Sequence, residues 1–133
     1  MISGDILFCS MIQTNVVNGT KTQSIFRPIP VIIPASIPGN YTFAVYASVS
    51  GLPFGKEYNI KIIVSNTDGR SIGEFDVPVR NDGNVKVEED YYQPYEIGID
   101  VRNVLINEEG IITAVLYVDD TELKRAELKV CKK

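Results

Sequence analysis

The chain has 133 residues and a formal net charge of −4, with 17 acidic residues, 13 basic residues and no histidine. This length predicts a single domain over residues 1–133 that can bury its own hydrophobic core. The acidic balance argues against nucleic acid as a partner, and the lack of histidine removes the commonest general base and neutral metal ligand. We therefore expect a protein that is not an enzyme and that needs no cofactor.

The N-terminal third alternates between strand-forming runs and turn signals. A long first strand is predicted over 5–17, and Asn18-Gly19 forms a turn from which a second strand returns over 20–29. The next stretch, RPIPVIIPASIPGN, contains four prolines, which cannot donate hydrogen bonds within a sheet. It is predicted to be an extended edge or a connection that crosses between two sheets.

The middle of the chain alternates apolar and polar residues at the period of a half-buried strand. The alternation predicts strands over 41–50, 57–66, 73–79 and 95–101. Pro78 makes the third of these an edge strand, because proline lacks a backbone donor. Asp68-Gly69 and Asp82-Gly83 supply two more tight turns between strand-like runs.

The C-terminal residues GIITAVLYVDDTELKRAELKV predict a hairpin that turns at Asp119-Asp120. Residues 111–118 are apolar on both faces, as in a strand inside a sheet, and residues 123–130 return as the closing strand. TELKRAELK alone is also compatible with a helix, but its place directly after a turn favours the strand. Together the elements predict an all-β protein, an antiparallel β-sandwich of about eight strands.

Four segments carry a family resemblance: ILFCSMIQ, SIFRPIPVIIP, YTFAVYASVS and EEGIITAVLYVDDTEL. In this order they resemble a bacterial family of immunoglobulin-like β-sandwich domains of unknown function. The last segment is similar to the final two strands of immunoglobulin-like and fibronectin-like domains. The chain departs from antibody-type domains because it has no tryptophan and no suitably spaced cysteine pair. The resemblance implies a fold and carries no activity.

Two apolar segments are candidate interaction surfaces. Tyr91, Tyr92 and Tyr95 lie close together in YYQPY, and tyrosine suits interfaces because it combines a large contact area with a polar tip. Leu52 and Phe54 lie between glycines in GLPFG and could form an exposed loop tip. The alternative for both segments is burial, with the tyrosines entering the core and the loop closing one end of the sandwich.

The N-terminal residues predict where the protein is located, and the location predicts the redox state of its two cysteines. Residues 1–13 lack the basic start of a signal peptide, and no apolar run reaches the length of a transmembrane segment. The expected location is the cytoplasm. There Cys9 and Cys131 are expected to be reduced thiols, with a disulfide between them as the alternative.

Two functions remain open from the sequence. The first is a non-enzymatic domain that acts through protein–protein contacts in a bacterial or mobile-element assembly, with an unknown protein or a second copy of itself as partner. The alternative is a carbohydrate-binding or calcium-dependent module for a ligand or a membrane surface. Its first candidate ligands are Asp119 and Asp120 with Asp82 and Asp90, although such charges are usually solvated.

Overall fold

The computed structural model describes residues 2–53, 55–80 and 95–132, with the backbone alone at 17 and 20–22. This part of the chain contains nine β-strands and no helix. The strands are β1 (Ser3–Val17), β2 (Thr20–Pro28), β3 (Val31–Ile32), β4 (Gly39–Ser50), β5 (Glu57–Ser65), β6 (Ser71–Arg80), β7 (Tyr95–Ile106), β8 (Gly110–Val118) and β9 (Thr121–Val130).

The strands form two sheets whose order defines the fold. The first sheet has the order β2-β1-β4-β7, and the second sheet has the order β3-β9-β8-β5-β6. Immunoglobulin domains place strands A, B and E together in one sheet and C′, C, F and G in the other. Here β1, β4 and β7 occupy the A, B and E positions, and β6, β5, β8 and β9 occupy C′, C, F and G. The protein is therefore an immunoglobulin-like β-sandwich, as the sequence predicts.

The core lies between the two sheets and is built from alternate residues of their strands. In β4 the inward side chains of Phe43, Val45 and Val49 are fully buried, whereas the outer-face residues Tyr46 and Ser48 are half-buried. In β8 and β5 the apolar runs place Leu116 and Ile62 at the centre of the second sheet. The alternation thus produces one continuous core, because alternate residues of every strand point to the face that each sheet turns toward the other.

Most of the predicted strand positions are confirmed. β8 lies between β9 and β5, and β6, which contains Pro78, lies at the edge of the second sheet. Residues 121–130 form strand β9, so the helical alternative for TELKRAELK is wrong. The Asp82-Gly83 turn lies outside the described residues.

The strand beyond the predicted eight lies in the proline-rich stretch. β3 has two residues and pairs in parallel with the end of β9. The Lys129 amide donates to the carbonyl of Pro30 at 3.1 Å, and the Cys131 amide donates to the carbonyl of Ile32 at 3.0 Å. Pro30 accepts in this ladder and need not donate, so the segment can cross from the first sheet to the second and line its edge.

Candidate interaction site

Of the residues predicted to interact, the structure describes two. Tyr95 is the first residue of β7 and is 39% exposed, whereas Leu52 is 8% exposed and belongs to the core. Leu52 therefore contributes packing at one end of the sandwich, which agrees with the burial alternative given for this segment. Phe54, Tyr91 and Tyr92 lie outside the described residues.

The most distinctive surface is formed by the β1–β2 hairpin, where β1 leaves its own sheet. β1 pairs with β4 only as far as Cys9, which lies opposite Ala44. From Met11 to Val17 its described partner is β2 alone. We call residues 11–17 and 20–26 the ribbon. Because a fifteen-residue strand is longer than the sheet needs, its second half is available for another contact.

The bend between sheet and ribbon is an interruption of the ladder. Cys9 pairs with Pro28 and Met11 pairs with Phe26, while Ser10 and Arg27, which lie opposite each other by count, form no pair in the register. Arg27, on the facing strand, has a φ of 52°, in the left-handed region that residues with a side chain seldom occupy. The Ser10 hydroxyl donates to the Phe26 carbonyl at 2.8 Å. These features mark a local interruption of the ladder that leaves the register of the two strands unchanged.

Cys9 lies where β1 separates from β4. Its side chain is fully buried although it points away from the core, and its Sγ lies 3.7 Å from the Ala44 carbonyl oxygen. Burial raises the pKa of the Cys9 thiol, the Met11 amide partly lowers it, and the charge of Asp100 raises it further. The thiol thus interacts with backbone groups where the regular ladder ends. Both cysteines are free.

The inner face of the ribbon rests on the outer face of the first sheet. Ile12 and Ile25 are directly opposite each other in the ribbon, and both are half-buried. Two terminal carbons of Ile12 lie 3.2 Å from the position that a Cβ on Gly98 would occupy, and Gln23 Oε1 lies 3.5 Å from it. Gly98 lies in β7, two strands away from β1. The ribbon therefore crosses over β4 to reach β7.

The outer face of the ribbon presents apolar side chains to solvent. Met11 and Phe26 are directly opposite each other and are 52% and 40% exposed. An opposed Met–Phe pair is a compact apolar contact surface, because facing side chains on one side of a ribbon lie close together. The pair is not evident from the sequence, whose pattern predicts that both strands belong to the sandwich.

Two carboxylates lie on the outer face of the first sheet, and one of them accepts a hydrogen bond from a tyrosine. Asp5, Ser48 and Glu96 form a row across β1, β4 and β7 on the outer face of the first sheet. The Tyr46 hydroxyl donates to Glu96 Oε2 at 2.6 Å. Burial raises the pKa of Tyr46 to about 12, and the hydrogen bond to Glu96 and its negative charge add to the shift.

We expect the Tyr46 phenol to ionise only at strongly alkaline pH. The raised pKa means that the folded state holds this proton more tightly than the unfolded state, whose pKa is near 10.0. Its contribution to stability is therefore complete below pH 10 and lost as the pH rises toward about 12. An alkaline titration followed by tyrosinate absorbance should show a phase near pH 12 that Tyr46→Phe lacks and Tyr95→Phe retains. Loss of this phase in Tyr95→Phe alone would contradict the assignment.

The carboxylates considered for calcium are engaged in the β8–β9 turn. Asp119 Oδ1 accepts from the Asn59 amide at 2.8 Å, and Asp120 Oδ1 lies 3.3 Å from Lys61 Nζ. Within residues 2–53, 55–80 and 95–132, no group of three or more Cys, Asp or Glu side chains could hold a metal ion. Asp82 and Asp90 lie outside these ranges. Nor do the described residues form a helix long and apolar enough to cross a membrane.

Comparison with solved structures returns an immunoglobulin-like protein from Pseudomonas aeruginosa. The two share 12% sequence identity, the likeness covers 96% of this chain and 97% of that chain, and the TM-score is 0.45. No protein-family model matches the sequence, and no curated protein matches it either. The class of this chain therefore rests on its strand order, which is that of an immunoglobulin-like domain.

Proposed function

We propose that this chain is a non-enzymatic binding domain that acts through protein–protein contacts in a bacterial or mobile-element assembly. The observation that supports the proposal best is the exposure of Met11 and Phe26 on the outer face of the ribbon. Both side chains are large and apolar, and a partner that covers them gains the free energy of removing that surface from water. Aromatic residues and methionine are also enriched at the centres of interfaces.

The ribbon also offers backbone groups to a partner. β2 lies at the edge of the first sheet, and one of its two sides pairs with no described strand. An extended segment of another protein can add to such an edge through main-chain hydrogen bonds, while side-chain pockets provide specificity. The partner that fits best is an extended segment whose apolar side chains cover Met11 and Phe26. Tyr95, at the edge strand β7, belongs to a second candidate surface for the same function.

The proposal predicts that the ribbon's outer face is needed for partner capture and not for folding. The double variant Met11→Ser/Phe26→Ser should retain any native partner roughly tenfold less well than the wild type, with an unchanged melting temperature. The matched control is Leu105→Ser, which changes a side chain on β7 that is 52% exposed. Capture from an extract of the native cell, quantified by mass spectrometry, compares the three proteins.

The Leu105→Ser control distinguishes specific binding at this surface from non-specific apolar contact. Equal losses in the double variant and in Leu105→Ser would indicate non-specific apolar contact, and unchanged capture by the double variant would contradict the proposed surface. A further variant, Tyr95→Ser, tests the second surface. If capture of the partner falls only in this variant, the proposed function is retained and the binding site lies at the start of β7. A fall in melting temperature that accompanies the loss of capture would show that Met11 and Phe26 act through folding.

A further inference from the structure

We propose that the ribbon exchanges between two copies of this chain, so that the ribbon of one copy docks on the first sheet of the other. The exchange uses the inner face of the ribbon and does not depend on the outer surface described above. The partner is thus a second copy of this chain, and it contributes Ile12 and Ile25 to a site that each copy otherwise completes with its own ribbon.

The ribbon is attached to its own sheet by side chains. In the described residues the main-chain pairing between β1 and β4 stops at Cys9, and the ribbon's strands pair only with each other. Ile12 and Ile25, which face the sheet, are only half-buried. A contact of this size opens more readily than the core, because few apolar groups are lost from the interior when it separates.

The surface under the ribbon is shaped to receive it. Gly98 has no side chain, and a Cβ there would lie 3.2 Å from two carbons of Ile12, closer than most real contacts. Ala44, opposite Cys9 at the end of the β1–β4 ladder, is also fully buried although it lies on the outer face of the sheet. We call these two small residues the socket for the inner face of the ribbon. A ribbon from a second copy has the same side chains and fits the same socket.

The bend has the properties of an exchange hinge. Arg27 holds a φ of 52°, and it forms no pair in the register with Ser10, the residue opposite it by count. A left-handed conformation is unfavourable for a residue with a side chain and persists only where the surroundings enforce it. If the hairpin straightens at this point, Arg27 can return to an extended conformation, and the ribbon then projects away from its own sheet. Strained short hinges are known to favour exchange of the element that follows them.

Exchange has a thermodynamic signature that distinguishes it from ordinary dimerisation. Each ribbon makes the same contacts in the closed monomer as in the exchanged dimer, so weakening those contacts destabilises both states equally. The association constant of the dimer then depends on the hinge. The rate of exchange depends on the contacts between the ribbon and the first sheet, because these must open first. In a side-by-side dimer formed through Met11 and Phe26, the association constant would depend on those contacts and not on the hinge.

The first test asks whether residue 12 of one copy meets residue 98 of another. The variant is Ile12→Cys/Gly98→Cys in the full chain, with Cys131→Ser added. Replacing Ile12 removes the two carbons that lie against Gly98, so the two new cysteine side chains have room. Equal amounts of ¹⁴N- and ¹⁵N-labelled protein are mixed at a series of concentrations, oxidised and digested. Bridged peptides of mixed isotope that increase with concentration support exchange. Bridged peptides of one isotope only at every concentration, or no bridge between the two positions, overturn it.

The second test varies the hinge without touching the socket. Arg27→Val, which resists the left-handed conformation, should raise the dimer association constant roughly tenfold or more, and Arg27→Gly should lower it. Ile12→Val/Ile25→Val should speed exchange and leave the association constant within about threefold, because the lost contacts cancel. Sedimentation velocity measures the dimer, and subunit mixing measures the rate. An association constant that falls in Met11→Ser/Phe26→Ser but is unchanged in both Arg27 variants overturns the proposal and leaves the proposed function intact.

Discussion

Phe43→Ala is expected to lower the free energy of unfolding by about 3–5 kcal/mol, the range for removing a buried aromatic side chain. Phe43 is among the largest fully buried side chains, and its ring meets that of Phe8 edge to face at a centroid distance of 5.6 Å. A loss of this size is a large share of the stability of an ordinary domain. Guanidinium denaturation, followed by tyrosine fluorescence or circular dichroism, measures the difference.

Two controls show whether the loss comes from the core. Leu105→Ala removes an exposed leucine from the neighbouring strand β7 and should change the free energy of unfolding by no more than about 0.5 kcal/mol. Phe8→Ala combined with Phe43→Ala should give a coupling energy of roughly 0.5–1.5 kcal/mol, because the two rings interact directly. Additive losses, or a Phe43→Ala variant as stable as Leu105→Ala, would contradict this description of the core.

Phe43 also illustrates what the sequence could predict. It belongs to a run that alternates apolar and polar residues from Tyr41 to Ser50, and that period of two determines which face of the strand is buried. The same reasoning predicts the central position of β8, whose residues are apolar on both faces, and the edge position of β6, which contains Pro78. These features depend on neighbouring residues along the chain, so a single sequence is sufficient to find them.

The ribbon could not be predicted in this way, because its position depends on residues far apart in the sequence. Met11, Ile12 and Phe26 have the composition of ordinary strand residues, and the contact that places them is made with Gly98, far along the chain. One local signal was present. Cys9 ends an uninterrupted apolar run that starts at Ile6, which indicates that both faces of β1 are covered there. Period-two reasoning explains only one of those faces.

The two faces of the ribbon support different interactions. Its inner face, with Ile12 and Ile25, fits a socket on the first sheet, and its outer face presents Met11 and Phe26. A ribbon that is exchanged between copies still exposes its outer face. An assembly built by exchange would therefore display two copies of the proposed binding surface, and their combined avidity for a repetitive partner would exceed the affinity of one copy.

Asn66 connects the two sheets through a buried polar contact. It is the one polar residue buried within the described part of the chain, and it follows β5 in the second sheet. Its Nδ2 donates to the Leu105 carbonyl of β7 at 3.0 Å, and its Oδ1 accepts from the Thr67 amide at 2.8 Å. Its backbone also closes the turn, because its amide donates to the Arg70 carbonyl. The side chain therefore joins the β5–β6 turn to a strand of the opposite sheet.

We expect Asn66→Ala to lower the free energy of unfolding by about 2–4 kcal/mol, since it leaves the Leu105 carbonyl and the Thr67 amide without these partners. Asn66→Asp retains an acceptor for Thr67 but directs a carboxylate at the Leu105 carbonyl, so its loss should be similar at neutral pH. The introduced carboxyl can donate to Leu105 only when it is protonated. Its folded-state pKa is then raised, and the deficit relative to wild type should shrink as the pH falls below about 5. Urea denaturation at pH 7 and at pH 4 compares both variants with wild type. A pH-independent deficit in Asn66→Asp, together with a loss below about 1 kcal/mol in Asn66→Ala, would show that packing alone joins the sheets at this point.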